Sequence, residues 1–272
     1  MNRKEFLRLA GSVTVLLANG QVTTANNISG FSAVKPNVAF RFAVASDGHF
    51  GEEKTEYESH FSNVVAAINK EHARHPFKFS VINGDIVHND KAHYPAAKKA
   101  LDGLECKYYV TQGNHDHVTA EEWQSVWNMP VNFDFTYKRC AFLLATTSNE
   151  KGEYLCPDLE WLSGKLKEHK NREVFIFIHI NPGALTKYAV DCPPFFELLE
   201  KHGKVRAVFN GHDHDEDGIK KRNNTPFVFD SHFGGSWGTE YRGYRIVEVM
   251  KDGSVITYVM NPDTAINQDK LV

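Results

Sequence analysis

From residue 38 onward, short apolar runs of strand length alternate with segments whose apolar residues recur at helical spacing. The strands predicted in the first part of the chain are Val38–Ala45, Phe77–Ile82, Cys106–Thr111, Phe133–Tyr137, Ala141–Ala145, Glu173–Ile178 and Val205–Phe209. Those predicted in the last part are Pro226–Phe229, Gly243–Val249 and Val255–Met260. Helices are predicted at Tyr57–Ile68, Ala92–Leu101, Ala120–Trp127 and from Pro157 through Leu159, Leu162 and Leu166. This order predicts an α/β protein, a four-layer α-β-β-α sandwich of two mixed sheets flanked by helices.

The ends of the chain differ from this pattern. Residues 1–25 combine the basic residues Arg3, Lys4 and Arg8 with a short apolar stretch and a small-residue region ending at Ala25, which is typical of a cleaved export signal. The segment resembles a twin-arginine signal with Lys4 in place of the second arginine; the alternative is an amphipathic helix packed on the domain. We therefore predict a signal peptide (1–25), a linker (26–37), one domain (38–262) and a C-terminal tail (263–272), with a periplasmic or extracellular location.

Polar clusters follow five of the predicted strands directly. Loops at the carboxyl ends of strands in α/β sheets face a common crevice, so these clusters are expected to meet at one edge. Packing their carboxylates and polar nitrogens together would desolvate these groups at considerable cost, and a bound metal is the simplest way to offset that cost. The clusters are Asp47-Gly-His49, Gly84-Asp85, Gly113-Asn-His-Asp116, His179 and Gly211-His-Asp-His214.

These five blocks, in this order, resemble the calcineurin-like metallophosphoesterase superfamily, and they cover the chain from about residue 40 to 215. The resemblance implies two metal ions bridged by Asp85. It assigns one ion to Asp47, His49, Asp85 and His214, and the other to Asp85, Asn114, His179 and His212. The mixture of imidazole and oxygen ligands suits Mn, Fe or Zn, with two divalent or trivalent ions as the expected cofactor.

The resemblance also implies the chemistry. A hydroxide that bridges the metals would attack phosphorus, and the ions would stabilise the charge on the phosphoryl oxygens. His115 would contact the phosphate and protonate the leaving oxygen as a general acid. Asp116 would orient the ring of His115, although a turn or helix cap is the simpler interpretation of this aspartate.

One position departs from the family pattern. Cyclic-nucleotide phosphodiesterase relatives, which the chain otherwise resembles, have aspartate three residues after the bridging aspartate, and purple acid phosphatases have tyrosine there; this chain has His88. His88 is either a partner of a group at the metals or a loop histidine. Two aromatic residues are further candidates for the site. Tyr188 lies in a predicted substrate-facing loop, with packing as the more common role, and Trp237 lines the pocket or belongs to the core.

Composition narrows the function. The net charge of −3 and the absence of a basic face argue against nucleic acid as a partner, and the N-terminal apolar run is too short to span a membrane. The four cysteines show no CxxC spacing; Cys106 and Cys140 are interpreted as buried thiols, and the disulfide pairing stays open. The favoured function is hydrolysis of a small or medium phosphodiester. A phosphomonoesterase, a metal-dependent nuclease and an inactive metal-binding protein are the alternatives.

Overall fold

The computed structural model describes residues 37–261 and, as backbone, the strands Thr14–Leu16, Val22–Thr24 and Thr264–Leu271. Most of the predicted signal peptide (1–25) and linker (26–37) lies outside the described residues, so both stay predictions. The predicted tail (263–272) contains the last strand. No helix in the described part of the chain has the length and apolarity needed to cross a membrane.

The strands form two sheets. In chain order they are β1 (Thr14–Leu16), β2 (Val22–Thr24), β3 (Val38–Ala45), β4 (Ser80–Asn83), β5 (Tyr108–Thr111), β6 (Phe133–Tyr137), β7 (Cys140–Leu144), β8 (Glu173–Phe177), β9 (Val205–Asn210), β10 (Ile219–Arg222), β11 (Thr225–Phe229), β12 (Tyr244–Met250), β13 (Val255–Asn261) and β14 (Thr264–Leu271). The first sheet has the order β2-β1-β14-β13-β12-β3-β4-β5, and the second has the order β10-β11-β9-β8-β7-β6. Both are mixed sheets, as predicted.

Parallel pairing in the middle of each sheet sets the position of the site. In the first sheet β3 pairs with β4 and β4 with β5, and in the second sheet β7, β8, β9 and β11 are consecutive parallel neighbours. The carboxyl ends of these strands therefore open on one edge of each sheet. The polar clusters predicted from the sequence lie in the loops at these ends.

Alternating side chains explain why the two sheets pack together. On β8, Phe175 and Phe177 face the first sheet, while Val174 and Ile176 belong to the cluster under the outer helices. Phe42 on β3 lies within 6.0 Å, centroid to centroid, of five other phenylalanine rings, four of them on the second sheet. Each such aromatic pair adds about 0.5–1.5 kcal/mol beyond the burial of its surface.

The helices cover the outer faces. They are α1 (Tyr57–Arg74), α2 (Tyr94–Leu101), α3 (Ala120–Trp127), α4 (Leu159–Glu168) and α5 (Pro193–His202), with a 3-10 helix at Lys91–His93. Helix α4 begins two residues later than predicted because Asp158, not Pro157, occupies its cap: the Asp158 side chain accepts a hydrogen bond from the Trp161 N–H at 2.9 Å. Helix α5 was not predicted from the sequence.

The cysteines divide into one bonded pair and two thiols. Cys156 and Cys192 form a disulfide with a Cα–Cα distance of 5.7 Å, and it joins the segment before α4 to the first residue before α5. Cys106 and Cys140 are free and buried, as predicted.

Candidate metal centre

The loops that carry the polar clusters have unusual backbone conformations. Asp47, His49, Asp85 and His212 all have positive φ, between 47° and 69°. Such conformations cost about 1–3 kcal/mol each and concentrate at functional sites. Here they are stabilised by cross-loop hydrogen bonds: the N–H groups of Gly48 and His49 donate to the Asp85 carbonyl at 3.0 and 2.9 Å.

Two glycines allow the loops to approach one another. Gly84 has φ +87°, and a Cβ there would overlap the ring of His179. A Cβ at Gly211 would overlap the hydroxyl of Ser46 and the carboxylate of Asp47. Because these contacts join loops of the two sheets, the glycines bring the carboxylates of one sheet to the imidazoles of the other.

The first group of possible ligands is Asp47, His49 and His214. Each offers one ligand atom, and these three atoms lie within 4.8 Å of one another. The Nε2 atom of His214 lies 3.1 Å from Asp47 Oδ1 and 3.0 Å from His49 Nε2. The Nδ1–H of His214 donates to the Trp237 carbonyl at 3.0 Å. Because that bond holds a proton on Nδ1, the neutral form of the ring has its lone pair on Nε2, which is the atom that can bind a metal.

Asp85, His179 and His212 form the second group. Nδ1 of His179 donates to the Asn83 carbonyl at 2.7 Å, so its Nε2 is directed at Asp85 Oδ2, 3.1 Å away. The buried Nε2 atom of His212, which belongs to this group, has no hydrogen-bond partner within the described residues, and neither has the buried Oδ1 atom of Asn114. Buried polar atoms are normally satisfied, and lone pairs that converge without partners fit a cation.

Asp85 lies between the two groups. Its Oδ2 atom is 3.1 Å from His179 Nε2 in the second group and 3.7 Å from His49 Nε2 in the first. The other oxygen, Oδ1, accepts the N–H of His115 at 2.8 Å, which fixes the carboxylate plane. A carboxylate in this position can bridge two ions, and six of the seven side chains predicted as ligands belong to these two groups.

Burial and neighbouring charge act differently on the possible ligands. Burial lowers the pKa of His179, but the charges of Asp85 and Asp47 outweigh it and raise that pKa to about 10, and the pKa of His214 is also raised, so a metal that binds these two rings displaces protons. Burial alone would raise the pKa of the Asp47 carboxyl, but the charges of His179 and His214 lower it well below its usual value. Burial lowers the pKa of His212 to about 4 and that of His49 well below 6.5. At neutral pH, Asp47 is ionised and His49 and His212 are neutral, as metal ligation requires.

His115, the predicted general acid, borders the groove with its ring 4.9 Å from that of His49, and the partner of its ring is not the predicted one. Its Nδ1 atom lies 2.7 Å from Asn89 Oδ1, so Asn89 orients the ring. Asp116 instead accepts backbone N–H groups, from Ile86 at 2.9 Å and from Gly113 at 2.8 Å. The expected orienting role of Asp116 is wrong because both of its oxygens are used to join two loops, in agreement with the simpler turn interpretation.

His88, the departure from the family pattern, lies within the site rather than in a remote loop. Its ring is stacked on His115 with centroids 4.9 Å apart and planes 14° apart. It also contacts the ring of His49, a member of the first ligand group. His88 is therefore a partner of a proposed ligand and of the proposed acid at once.

A buried ion pair supports the loops from below. Arg245 on β12 is fully buried, and its Nε donates to Asp230 Oδ1 at 3.2 Å. Asn83 donates to the other Asp230 oxygen at 3.2 Å and accepts the Thr111 hydroxyl hydrogen at 2.8 Å. The chain of contacts joins β4, β5 and β12 to the end of β11, directly behind the loops that carry the possible ligands.

Three of the possible ligands, Asp85, His212 and His214, line an open groove of about 370 Å³. Tyr188 and Trp237 border it and are 51% and 44% exposed, so both lie at the site instead of packing in the core. Tyr154, which sequence analysis missed, borders the groove as well. Its only sequence signal is its position two residues before Cys156, the cysteine bonded to the loop of Tyr188.

A family model described as calcineurin-like phosphoesterase matches residues 40–216, well over half of the chain. The matched segment contains all seven possible ligands. Comparison with curated protein sequences gives no match.

Several solved structures share the fold. A dimetal phosphatase from Danio rerio superposes with a TM-score of 0.67 at 12% identity, covering 87% of this chain and 99% of that one. GAP50, the anchor in the inner membrane complex of Plasmodium, gives a TM-score of 0.62 at 14% identity, covering 85% and 88%. A purple acid phosphatase from yellow lupin gives 0.58 at 12% identity, covering 85% of this chain and 53% of that one. At these identities the likeness shows the fold alone.

Proposed function

We propose that this chain, which belongs to the calcineurin-like phosphoesterase family, is a phosphodiesterase that binds two transition-metal ions. The family depends on dinuclear metal centres and hydrolyses phosphate esters. The observation that carries the proposal is the convergence of two ligand groups on Asp85, with the buried and unpartnered Nε2 atom of His212 in the second of them. Imidazole nitrogens mixed with carboxylate and amide oxygens favour Mn, Fe or Zn.

The residues of the chain divide the chemistry between them. When bound, a metal pair supplies an activated water and stabilises charge on the phosphoryl oxygens. Asn89 holds Nδ1 of His115, which leaves Nε2 as the atom that can donate a proton to the leaving oxygen. His115 borders the groove together with the ligands, so an ester seated on them lies within reach of this ring.

The lining of the groove favours a diester over a monoester. Among the described residues that line it there is no lysine or arginine, whereas Asp213 and Asp215 are present. A monoester dianion or a nucleic-acid polyanion gains nothing from such a lining, and a singly charged diester meets less repulsion. The carboxylate of Asp213 adds to the repulsion of an anion because it is buried. Burial also raises the pKa of this carboxyl to about 6.

Export to the periplasm or the cell exterior is part of the proposal. The N-terminal segment has the composition of an export signal. The disulfide between Cys156 and Cys192 supports the same location, because disulfides persist in oxidising compartments.

The test is an activity panel on protein that has been stripped of metal and reloaded with Mn, Fe or Zn. We expect turnover of bis-p-nitrophenyl phosphate to exceed that of p-nitrophenyl phosphate and of single-stranded DNA. Asp85→Asn is expected to lose both metal content and activity, whereas His115→Ala keeps the metals and slows turnover. Faster turnover of the monoester would overturn the diesterase proposal, and cleavage of DNA would favour a nuclease.

A further inference from the structure

The exposed aromatic side chains of the described chain are concentrated at the groove. Among the described residues, four large hydrophobic side chains are exposed: Tyr154, Leu155, Tyr188 and Trp237. The three aromatic members all border the groove, and Leu155 does not. Single apolar residues scattered over a surface are ordinary. Several exposed rings around one cavity indicate a binding surface.

The two tyrosines contact one ligand imidazole, and Trp237 contacts another. Tyr154 meets His212 edge-on with centroids 4.9 Å apart, and Tyr188 meets the same ring at 6.2 Å. Trp237 stacks on His214 at 4.3 Å with the planes 8° apart. A phosphate seated on the ligands would therefore have the tyrosines on one side and Trp237 on the other.

Tyr154 and Tyr188 lie on two loops that are joined by a covalent bond. The disulfide links the loop of Tyr154 to the loop of Tyr188 through Cys156 and Cys192. Backbone bonding holds the first loop, since the N–H of Leu155 donates to the Thr147 carbonyl at 2.8 Å.

Side-chain bonding holds the second loop against the ligand loop. The Thr186 hydroxyl donates to Asp213 at 2.9 Å and accepts from Asn181 at 2.7 Å. From below, Arg222 donates to the Gly183 carbonyl at 2.8 Å. Rings fixed in this way bind with little loss of conformational entropy.

We infer that Tyr154 and Tyr188 form a subsite for a planar ring carried by one organic arm of the ester, with Trp237 bordering the other arm. This inference rests on the proposed function. The ring is that of a nucleoside base or of an aryl group, because both present a π-face to the tyrosines and both fit a groove of about 370 Å³.

The first experiment varies one arm of the ester while the leaving group stays the same. Methyl, phenyl and thymidine 5′ diesters of p-nitrophenyl phosphate are compared by kcat/KM on the metal-loaded protein. We expect a preference of about tenfold or more for a ring-bearing arm over methyl. The phenyl and thymidine arms distinguish an aryl site from a nucleoside site.

Substitutions assign the preference to the rings. Tyr154→Leu and Tyr188→Leu are expected to reduce the ratio of ring to methyl activity by about fivefold or more each. Tyr154→Phe should retain the ratio if the ring and not the hydroxyl is recognised. Leu155→Ala, an equally exposed neighbour outside the groove, is the matched control and should leave the ratio unchanged.

A binding measurement separates the failure of this inference from the failure of the proposed function. Calorimetry with phenylphosphonate and methylphosphonate, which are not hydrolysed, measures the ring preference without turnover. Hydrolysis of diesters without a ring preference in either experiment would overturn the subsite and leave the phosphodiesterase standing. A ring preference in binding that is lost in Tyr188→Leu, without turnover of any ester, would support the subsite and overturn the proposed activity.

Discussion

The Nδ1 atoms of His49 and His88 lie 3.0 Å apart, so one ring donates a hydrogen bond to the other. Nε2 of His49 is directed at the first ligand group, which requires its proton on Nδ1 and makes His88 the acceptor. Relatives that carry aspartate in this position would offer a carboxylate to the corresponding imidazole. In this chain a neutral ring performs that task, and the same ring stacks on His115.

The first prediction concerns His88. His88→Ala removes the acceptor for His49 and is expected to weaken metal affinity about 10- to 100-fold. His88→Asp restores an acceptor at nearly the same distance and should recover most of that loss. Competition with a chromophoric chelator measures the affinity, and His75→Ala, at an exposed histidine beyond the end of α1, is the control. Equal affinity of the alanine variant and the wild type would show that His88 does not orient His49.

The second prediction separates Asn89 from Asp116. Asn89→Gly frees the ring of His115 and should lower kcat on a diester with a poor leaving group. It should have little effect on thermal stability because Asn89 is exposed and glycine tolerates its φ of 62°. Asp116→Asn should mainly destabilise the protein, since it weakens bonds to the N–H groups of Ile86 and Gly113. Kinetics and melting temperatures on both variants provide the measurement, and the reverse pattern would restore the orienting role to Asp116.

The third prediction concerns the disulfide. The bond closes a loop between residues 36 apart in sequence, and its loss is expected to lower the free energy of unfolding by about 2–4 kcal/mol. Urea unfolding of the wild type with and without reductant measures this loss. The Cys156→Ser, Cys192→Ser double variant is the control and should show no further effect of reductant. An unchanged wild type under full reduction would contradict the prediction.

The fourth prediction concerns the buried pair of Arg245 and Asp230. Burial raises the pKa of Asp230 to about 7 even beside Arg245, so Arg245→Met leaves a buried carboxyl that must take up a proton to fold at higher pH. The variant should lose about 3–5 kcal/mol of stability at pH 8 to 9 and less at pH 6. Adding Asp230→Asn removes the uncompensated charge, so the double variant should be more stable than the sum of the single effects. Chemical denaturation of all four proteins completes the cycle, and strictly additive effects would show that the two groups are not coupled.

The fifth prediction links metal to stability. Ions that bind only the folded protein at 100 times their Kd should add about 2.7 kcal/mol to the free energy of unfolding. Calorimetric melting after chelation and after reloading measures the shift, with Asp85→Asn as the variant in which it should largely disappear. If chelated and reloaded wild-type protein had the same melting temperature, the ligand assignment would be contradicted.

The sequence was sufficient to predict the sandwich and the polar clusters at the strand ends, because both depend on local patterns. Strands such as Val38–Ala45 and Phe133–Tyr137 have the predicted bounds, and each polar cluster directly follows its strand. Helix α5 was missed because Pro193 and Pro194 suggested the end of a loop, whereas proline is also favoured in a first helical turn.

Other features of the site depend on how loops from distant parts of the chain face one another. Asp116 is next to His115 in sequence, but the loop directs its carboxylate to backbone N–H groups and brings Asn89 to the ring instead. Tyr154 reaches the groove from a loop between β7 and α4 that carries no motif. The orientation of these side chains depends on contacts between distant loops and not on a local sequence pattern, so it could not be predicted from the sequence.

The origin of the ligands has a mechanical consequence. Asp47, His49, Asp85 and Asn114 come from the first sheet, and the remaining three imidazoles come from the second, so each ligand group contains members of both sheets. Bound ions would act as cross-links between the two sheets at one rim of the sandwich. In protein that has lost its metals, the two sheets would separate first at that rim. The loops at the mouth of the groove would then be the first sites of proteolysis.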